Sequence, residues 1–366
     1  MTVTSVKTDS KTWEDLLSRI RTDDAERVDF DVTFGDLGVL PNLVQNDGSP
    51  LMTFRRNVQD EMIQDSRVMS DRSYRQYLSK LGIQHRQATL FSGDLQERMI
   101  RERLEFRDPE KDNAPLVEPD SEIFLRCRPN SVRAILSGRY GNMRDREVAE
   151  IINDRLPDLS GYDVLRGRVS DHLFSVTLLG KEPVFTNGDR YFPIHIIRNS
   201  ELGASSFAVE SGVCKGACSN GMIFSFRKDC SHRIRHLGAN MRGRVVEALD
   251  EALGSESKWA DEVAPAITRA KAAEIDLADE KKAEKAVKTL RDRGLTKKLA
   301  VEVLEFAQAM PEDIYGTEFL LNENKLVTRW HLINSMTHLA QDSTRFDELE
   351  RQEIEAAAGA LLLRAA

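Results

Sequence analysis

Cysteine and histidine residues are concentrated between positions 214 and 236. The spacing is Cys214-x3-Cys218, followed by Cys230-x-His232-x3-His236. Thiolate and imidazole are the ligands of tetrahedral zinc, and four of them make a structural site. The usual Cys-x2-Cys spacing is absent, however, and free cysteine is among the most buried residue types. We treat Cys214, Cys218, Cys230 and His236 as candidate ligands, and we predict that the chain binds no stoichiometric zinc and needs no cofactor.

Two windows are rich in arginine although the chain carries a formal net charge of −8. The first runs FLRCRPNSVRAILSGRYGNMR and the second FRKDCSHRIRHLGANMRGR, which contains a single acid, Asp229. The guanidinium group donates two hydrogen bonds to one phosphate, and aromatic rings can stack on unpaired bases. The predicted nucleic-acid-binding residues are Arg126, Arg128, Arg139, Tyr140, Phe224, Phe226, Arg227, Arg233, Arg235, His236 and Arg242. The alternative is that the arginines pair with acids and that the phenylalanines lie in the core.

Turn-forming residues occur in three further segments. They are Asn199, Ser200 and Gly203 in NSELG, Cys218, Asn220 and Gly221 in CSNG, and the RHLG segment that begins at Arg235. Asn and Ser bond to nearby backbone and glycine accepts positive φ, so tight turns between strands account for these residue types. The chain has no Walker loop, no Gly-x-Ser-x-Gly elbow and no His-Glu-x-x-His motif.

The pattern NSE-x-G, C-x-NG and RH-x-G, together with VRAILSGRY upstream, resembles a family of phage, plasmid and prophage proteins known as Domain of Unknown Function 932. The resemblance covers most of the chain. It implies a mobile-element protein, but it carries no reaction, substrate or catalytic residue.

Composition is that of a protein with an ordinary core. Hydrophobic residues make up 40% and charged residues 31% of the 366 positions. No apolar run reaches the ~20 residues of a membrane-spanning helix, and the N-terminus lacks a secretory signal, so we expect a soluble cytoplasmic protein without membrane contact. Four cysteines are too few for a disulfide scaffold of this length.

The order of predicted elements indicates an α+β fold. Five short β-leaning runs between residues 161 and 226 predict an antiparallel meander, because parallel strands would need long crossovers. We divide the chain into an N-terminal α/β region with an acidic, proline-containing loop (1–122), a sheet core with its following helix (123–257) and a helical C-terminal region (258–366). Alternating apolar residues predict that Phe174, Val176, Leu178, Ile194, Ile196, Phe207, Val209 and Ile223 are buried on one side of a shared sheet.

Function follows from the arginine windows. We expect a non-enzymatic protein that binds or anneals single-stranded nucleic acid in recombination or replication. The alternatives are a host-directed interaction factor, such as a counter-defence protein, and a metal-dependent nuclease or hydrolase. The expected partners are single-stranded nucleic acid, a host or phage protein, or further copies of the same chain.

Overall fold

The computed structural model describes residues 12–41, 49–58, 61–170, 172–187, 189–215, 223–254, 256–277, 280–309, 327–342 and 344–363. Within these ranges the backbone alone is described at 58, 158, 185–187, 189, 223–231, 256–260 and 309. The predicted residues Cys218, Asn220 and Gly221 therefore lie outside the described residues, as do the side chains of Phe224, Phe226, Arg227 and Cys230.

Two six-stranded sheets, formed by different parts of the chain, contain most of the strands of the described residues. The strands are β1 (Val28–Thr33), β2 (Leu37–Leu40), β3 (Leu51–Val58), β4 (Glu61–Met69), β5 (Arg107–Asp108), β6 (Ala114–Pro115), β7 (Glu122–Arg128), β8 (Ser131–Ser137), β9 (Tyr162–Val169), β10 (Phe174–Gly180), β11 (Phe185–Asn187), β12 (Asp189–Asn199), β13 (Phe207–Lys215) and β14 (Ile223–Ile234). Strands β5 and β6 form only a small separate hairpin.

The first sheet has the order β1-β7-β8-β4-β3-β2. All its pairings are antiparallel except that of β4 with β8, where Val68 and Met69 pair with Ser131 and Val132. Strands β7 and β8 thus complete the N-terminal sheet and do not join the later meander. The division between the sheets falls after β8, beyond the predicted boundary at residue 123.

The second sheet is the predicted antiparallel meander, with the order β9-β10-β12-β13-β14 and β11 paired to β12. Together with the helices this confirms the α+β class. The one-sided core prediction is wrong in part. Phe174, Val176, Leu178, Phe207 and Val209 share one buried cluster with Ile197, whereas Ile194 and Ile196 form a separate cluster with Cys214. Side chains alternate along a strand, so Ile194 and Ile196 point to the opposite face from Ile197. Both faces of this sheet are covered, and the side chain of Ile223 lies outside the described residues.

Eleven helices occur in the described ranges. They are α1 (Trp13–Ala25), α2 (Asp71–Lys80), α3 (His85–Ala88), α4 (Gly93–Glu105), α5 (Asp145–Arg155), α6 (Met241–Leu253), α7 (Glu256–Ala272), α8 (Glu280–Arg291), α9 (Lys297–Ala309), α10 (Arg329–Leu339) and α11 (Glu348–Leu362). None of these helices is both long and apolar enough to cross a bilayer.

The helices cover the second sheet from both sides. Helices α1, α5 and α6 pack on the face that carries Phe174 and Val176. Helix α11 covers the other face, where Gln352 donates a hydrogen bond to Ser175 Oγ (3.0 Å) and Arg166 pairs with the buried Glu355 (2.8 Å). The C-terminal helices α7–α11 form their own apolar core, which reaches the sheet at Tyr191 and Val213.

Candidate functional site

The two sheets are joined where the loops after β8 and β14 meet. Tyr140 and Leu237 form an isolated antiparallel bridge. The amide of Gly141 donates to the carbonyl of His236 (3.0 Å), and the rings of Tyr140 and His236 stack with centroids 5.1 Å apart. Residues almost a hundred positions apart in sequence are therefore held together by backbone hydrogen bonds.

The turn at 199–203 enters the same junction. Gly203 has φ +67°, a conformation that glycine adopts without strain. The Tyr140 hydroxyl donates to the carbonyl of Ser200 (2.9 Å), and Arg72 Nε donates to that of Leu202 (3.0 Å). The turn of the second sheet is thus anchored to α2 of the first and to the loop after β8.

Glu201 lies at the centre of a buried group of charges, which we call the junction cluster: Arg27, Asp29, Arg126, Arg133, Asp145, Asn199 and Glu201. The carboxylate of Glu201 accepts a hydrogen bond from Arg27 and lies 3.3 Å from Arg133 Nη1 and 3.4 Å from Arg126 Nη1. Glu201 is 3% exposed and Arg126 fully buried. Three arginines from the first sheet and its approaches therefore surround one acid from the second, and Arg27 and Arg133 also pair with Asp24 (2.9 Å) and Asp23 (3.1 Å).

The remaining acids of the junction cluster are strongly affected by burial. Burial raises the pKa of Asp145 well above its usual range, and repulsion by Glu201 raises it further. Burial also raises the pKa of Asp29 and lowers that of Arg126, although Arg126 Nε and Asp29 Oδ2 are 3.6 Å apart. Both members of this pair shift toward their neutral forms, so their desolvation outweighs their attraction.

His236 is a neutral, buried histidine. Its Nδ1 lies 3.3 Å from the carbonyl oxygen of Gly141, which can only accept, so Nδ1 carries the proton. Burial lowers the pKa of His236 to about 4. Its buried Nε2 has no hydrogen-bond partner among the described residues. His236 therefore contributes stacking and a backbone contact, and it carries no positive charge at neutral pH.

The structure separates the predicted arginines into two groups. Arg126 belongs to the buried junction cluster, and Arg128 pairs with Asp23. We therefore leave both out of any binding surface. Arg139 and Arg235 are exposed, and no carboxylate of the described residues lies within ion-pair distance of either.

Three more arginines lie close in sequence to Arg235. Arg233 is 3.7 Å from the buried Glu210, and Arg242 is 3.8 Å from Asp154. Arg244 donates to the carbonyls of Arg235 and Leu237. We define the arginine surface as Arg139, Arg233, Arg235, Arg242 and Arg244. Arg244 was absent from the predicted set, although it belongs to the same arginine window.

The metal candidates do not converge where they are described. Cys214 is buried, and its thiol faces the carbonyl of Lys215 (3.8 Å), while His236 faces Gly141. Among the described residues no three His, Cys, Asp or Glu side chains form a group that could hold a metal ion.

Sequence reasoning missed Arg27, Asp145 and Glu201 as members of one cluster. Glu201 lies inside the NSELG segment, so the signal was an acid in a turn that flanking glycine and asparagine otherwise explain. Asn199 is bonded to the same cluster, since its Nδ2 donates to Asp145 Oδ1 (2.7 Å). These segments therefore converge on the junction between the sheets.

No curated protein and no solved structure is similar enough to this chain to count as a match. The family model described as Domain of unknown function (DUF932) matches residues 134–359, more than half of the chain. That range contains Tyr140, the turn at 199–203 and His236, and it leaves out most of the first sheet. The chain belongs to the family of proteins that contain the domain of unknown function DUF932.

Proposed function

We propose that this protein belongs to a phage, plasmid or other mobile element and binds single-stranded nucleic acid through the arginine surface, in annealing during recombination or replication. One observation carries the proposal. Arg139 and Arg235, about a hundred residues apart in sequence, lie on loops that are hydrogen-bonded to each other, and both are exposed without a carboxylate partner in the described residues.

The net charge of the chain supports the arginine surface as the binding site. A chain with net charge −8 repels a polyanion over most of its surface, so binding requires a local excess of cations. Arginine is well suited because its fork makes two hydrogen bonds to one phosphate. Asn199 of the junction cluster donates to the carbonyl of Met143 in the loop after β8, and backbone hydrogen bonds from Gly141 to His236 and from Gly238 to Arg139 hold the loop after β14 against it. Fixed loops lower the entropy lost when phosphate binds.

Tyr140 and His236 are not assigned to stacking on nucleic-acid bases. One face of the half-buried Tyr140 ring is covered by His236, and its hydroxyl bonds to Ser200. We therefore assign Tyr140 and His236 to positioning the loop that carries Arg139. Leu237, which is 51% exposed between the cations, offers an apolar contact for bases.

The test is the salt dependence of oligonucleotide binding. The double variant Arg139→Ala with Arg235→Ala should bind a single-stranded oligonucleotide more weakly than the unaltered protein. The negative slope of log K against log [salt] should become less steep by about 1–2, since each lost phosphate contact removes about 0.7 from its magnitude. The control is Lys281→Ala with Lys285→Ala on α8, which removes the same charge from exposed positions elsewhere. Equal slopes for the two variants, or no binding by the unaltered protein, would overturn the proposal.

A host-directed interaction factor is the second candidate. It is favoured by the acidic loop, where Glu110, Asp112, Glu118 and Asp120 are all exposed. Such a factor should capture a basic host protein in a pull-down that survives nuclease treatment and should fail to do so after Glu118→Lys with Asp120→Lys. Nuclease-sensitive capture would favour the nucleic-acid proposal instead.

A further inference from the structure

Large apolar side chains are exposed unusually often around helix α4. Thirteen such residues occur in the described part of the chain. Six of them lie within residues 90–116: Leu90, Phe91, Leu95, Leu104, Phe106 and Leu116. Leu90 is 81% exposed. Single exposed apolar residues are ordinary, but a concentration of them marks an interaction surface.

Helix α4 is also weakly attached to its own domain. Of its 13 residues only Gln96 and Ile100 are buried. Helices of this length are marginal in water unless an apolar face is packed. At 100° per residue, Leu95, Arg98, Glu102 and the following Phe106 fall within a sector of about 80°, roughly opposite the buried pair. Along the helix axis, the apolar residues lie at the two ends of this exposed sector and the charged residues lie between them.

We propose that the exposed sector of α4 binds the same sector of a second copy of this chain. A two-fold axis makes residue i of one copy face residue j of the other, and the reverse. If the helices run antiparallel with the axis between residues 100 and 101, Arg98 lies opposite Glu102 of the second copy and Leu95 opposite Phe106, each to within one residue. Each of these contacts occurs twice, because the axis repeats it.

Self-complementarity is the reason to choose a second copy as the occupant. Arg98 and Glu102 are 75% and 64% exposed, and within one chain they pair with each other at 3.0 Å. The same two charges can pair across the axis without any new residue. A partner with a uniformly acidic or basic surface would leave one of them opposed by a like charge.

The oligomeric state of the full chain tests the proposal. Sedimentation velocity between about 1 and 100 μM should show a monomer–dimer equilibrium for the unaltered protein, as expected for an interface with few anchors. Leu95→Glu should weaken the dimer by about tenfold or more. Val301→Glu is the control, because Val301 is similarly exposed (36%) on α9.

A charge swap gives the sharper result. Arg98→Glu and Glu102→Arg should each weaken the dimer by opposing like charges, and the double variant should restore it. Circular dichroism of each variant confirms that the fold is kept. A protein that is monomeric at about 100 μM, a dimer indifferent to Leu95→Glu, or a double variant without recovery would each overturn the proposal.

Discussion

Replacing Glu201 by glutamine should strongly destabilise the protein. The substitution keeps the size of the side chain but removes the negative charge that faces Arg27, Arg126 and Arg133. Removing one partner of a buried ion pair leaves an uncompensated charge and costs about 3–5 kcal/mol. Part of this loss is recovered, because Arg27 and Arg133 keep their ion pairs with Asp24 and Asp23. In addition, Glu201 raises the pKa of Asp145, and without that repulsion Asp145 ionises more readily. We therefore expect a loss of about 3 kcal/mol, at the lower end of the range.

The assay is urea unfolding at pH 7, followed by far-ultraviolet circular dichroism. The matched control is Glu150→Gln on α5, which removes an equal charge from an exposed pair with Arg146 and should cost about 0–1 kcal/mol. Combining Glu201→Gln with Arg27→Gln should cost less than the sum of the two single changes by about 1–3 kcal/mol. If Glu201→Gln costs no more than the control, the junction cluster does not hold the two sheets together and our reasoning is refuted.

Three further predictions concern the same junction. The pKa of His236 is lowered to about 4, so this histidine is neutral in the folded protein at neutral pH. The free energy of unfolding should therefore keep its full value above the unfolded pKa of about 6.5 and fall by about 2–3 kcal/mol as the pH drops toward 4. In urea titrations His236→Asn should make this fall smaller. The pKa of Asp145 is raised in the folded protein, so the contribution of Asp145 to the free energy of unfolding declines as the pH rises above the pKa of this group in the unfolded chain. Asp145→Asn should remove that decline, which is measured as the free energy of unfolding at pH values from 4 to 7. Gly203→Ala should lower the free energy of unfolding more than Gly82→Ala, although both glycines have positive φ. The reason is that an added Cβ would lie 3.1 Å from the side chain of Leu136 at position 203, whereas at position 82 it would meet nothing within 4 Å. The difference between the two variants in the free energy of unfolding measures that contact.

Local structure was predictable where apolar residues recur at a regular spacing and where turn-forming residues mark the ends of helices and strands. The helix predicted to follow the sheet core is observed as α6 at Met241–Leu253. The hairpin of β3 and β4 was missed, because its strands mix arginine, glutamine and aspartate with apolar residues. Charges are tolerated there because one face of the hairpin is in solvent, whereas Met52 and Phe54 point into the core.

Long-range arrangement was less predictable. The strands at 122–137 pair with β1 and β4, and no local pattern records a partner sixty or more residues away. The burial of Ile194 and Ile196 was predicted, but the face of the second sheet on which they lie was not. An alternating pattern does not show that a second layer of helices covers the other face of the sheet. The turn at 199–203 was recognised as a turn, whereas its role at the junction depends on how the sheets meet.

The position of Glu201 in the chain has a consequence for synthesis. Arg27 and Glu201 are separated by 174 residues, and β1, β7 and β8 all precede Glu201. During translation, at about 5–20 residues per second, the first sheet can form seconds before Glu201 has emerged. By then Asp24, Asp29 and Asp23 are already present and can pair with Arg27, Arg126 and Arg133, so the edge of the first sheet carries charges of both signs. These charges stay hydrated until the second sheet covers them, and a fragment that ends before residue 201 should keep that edge exposed to solvent.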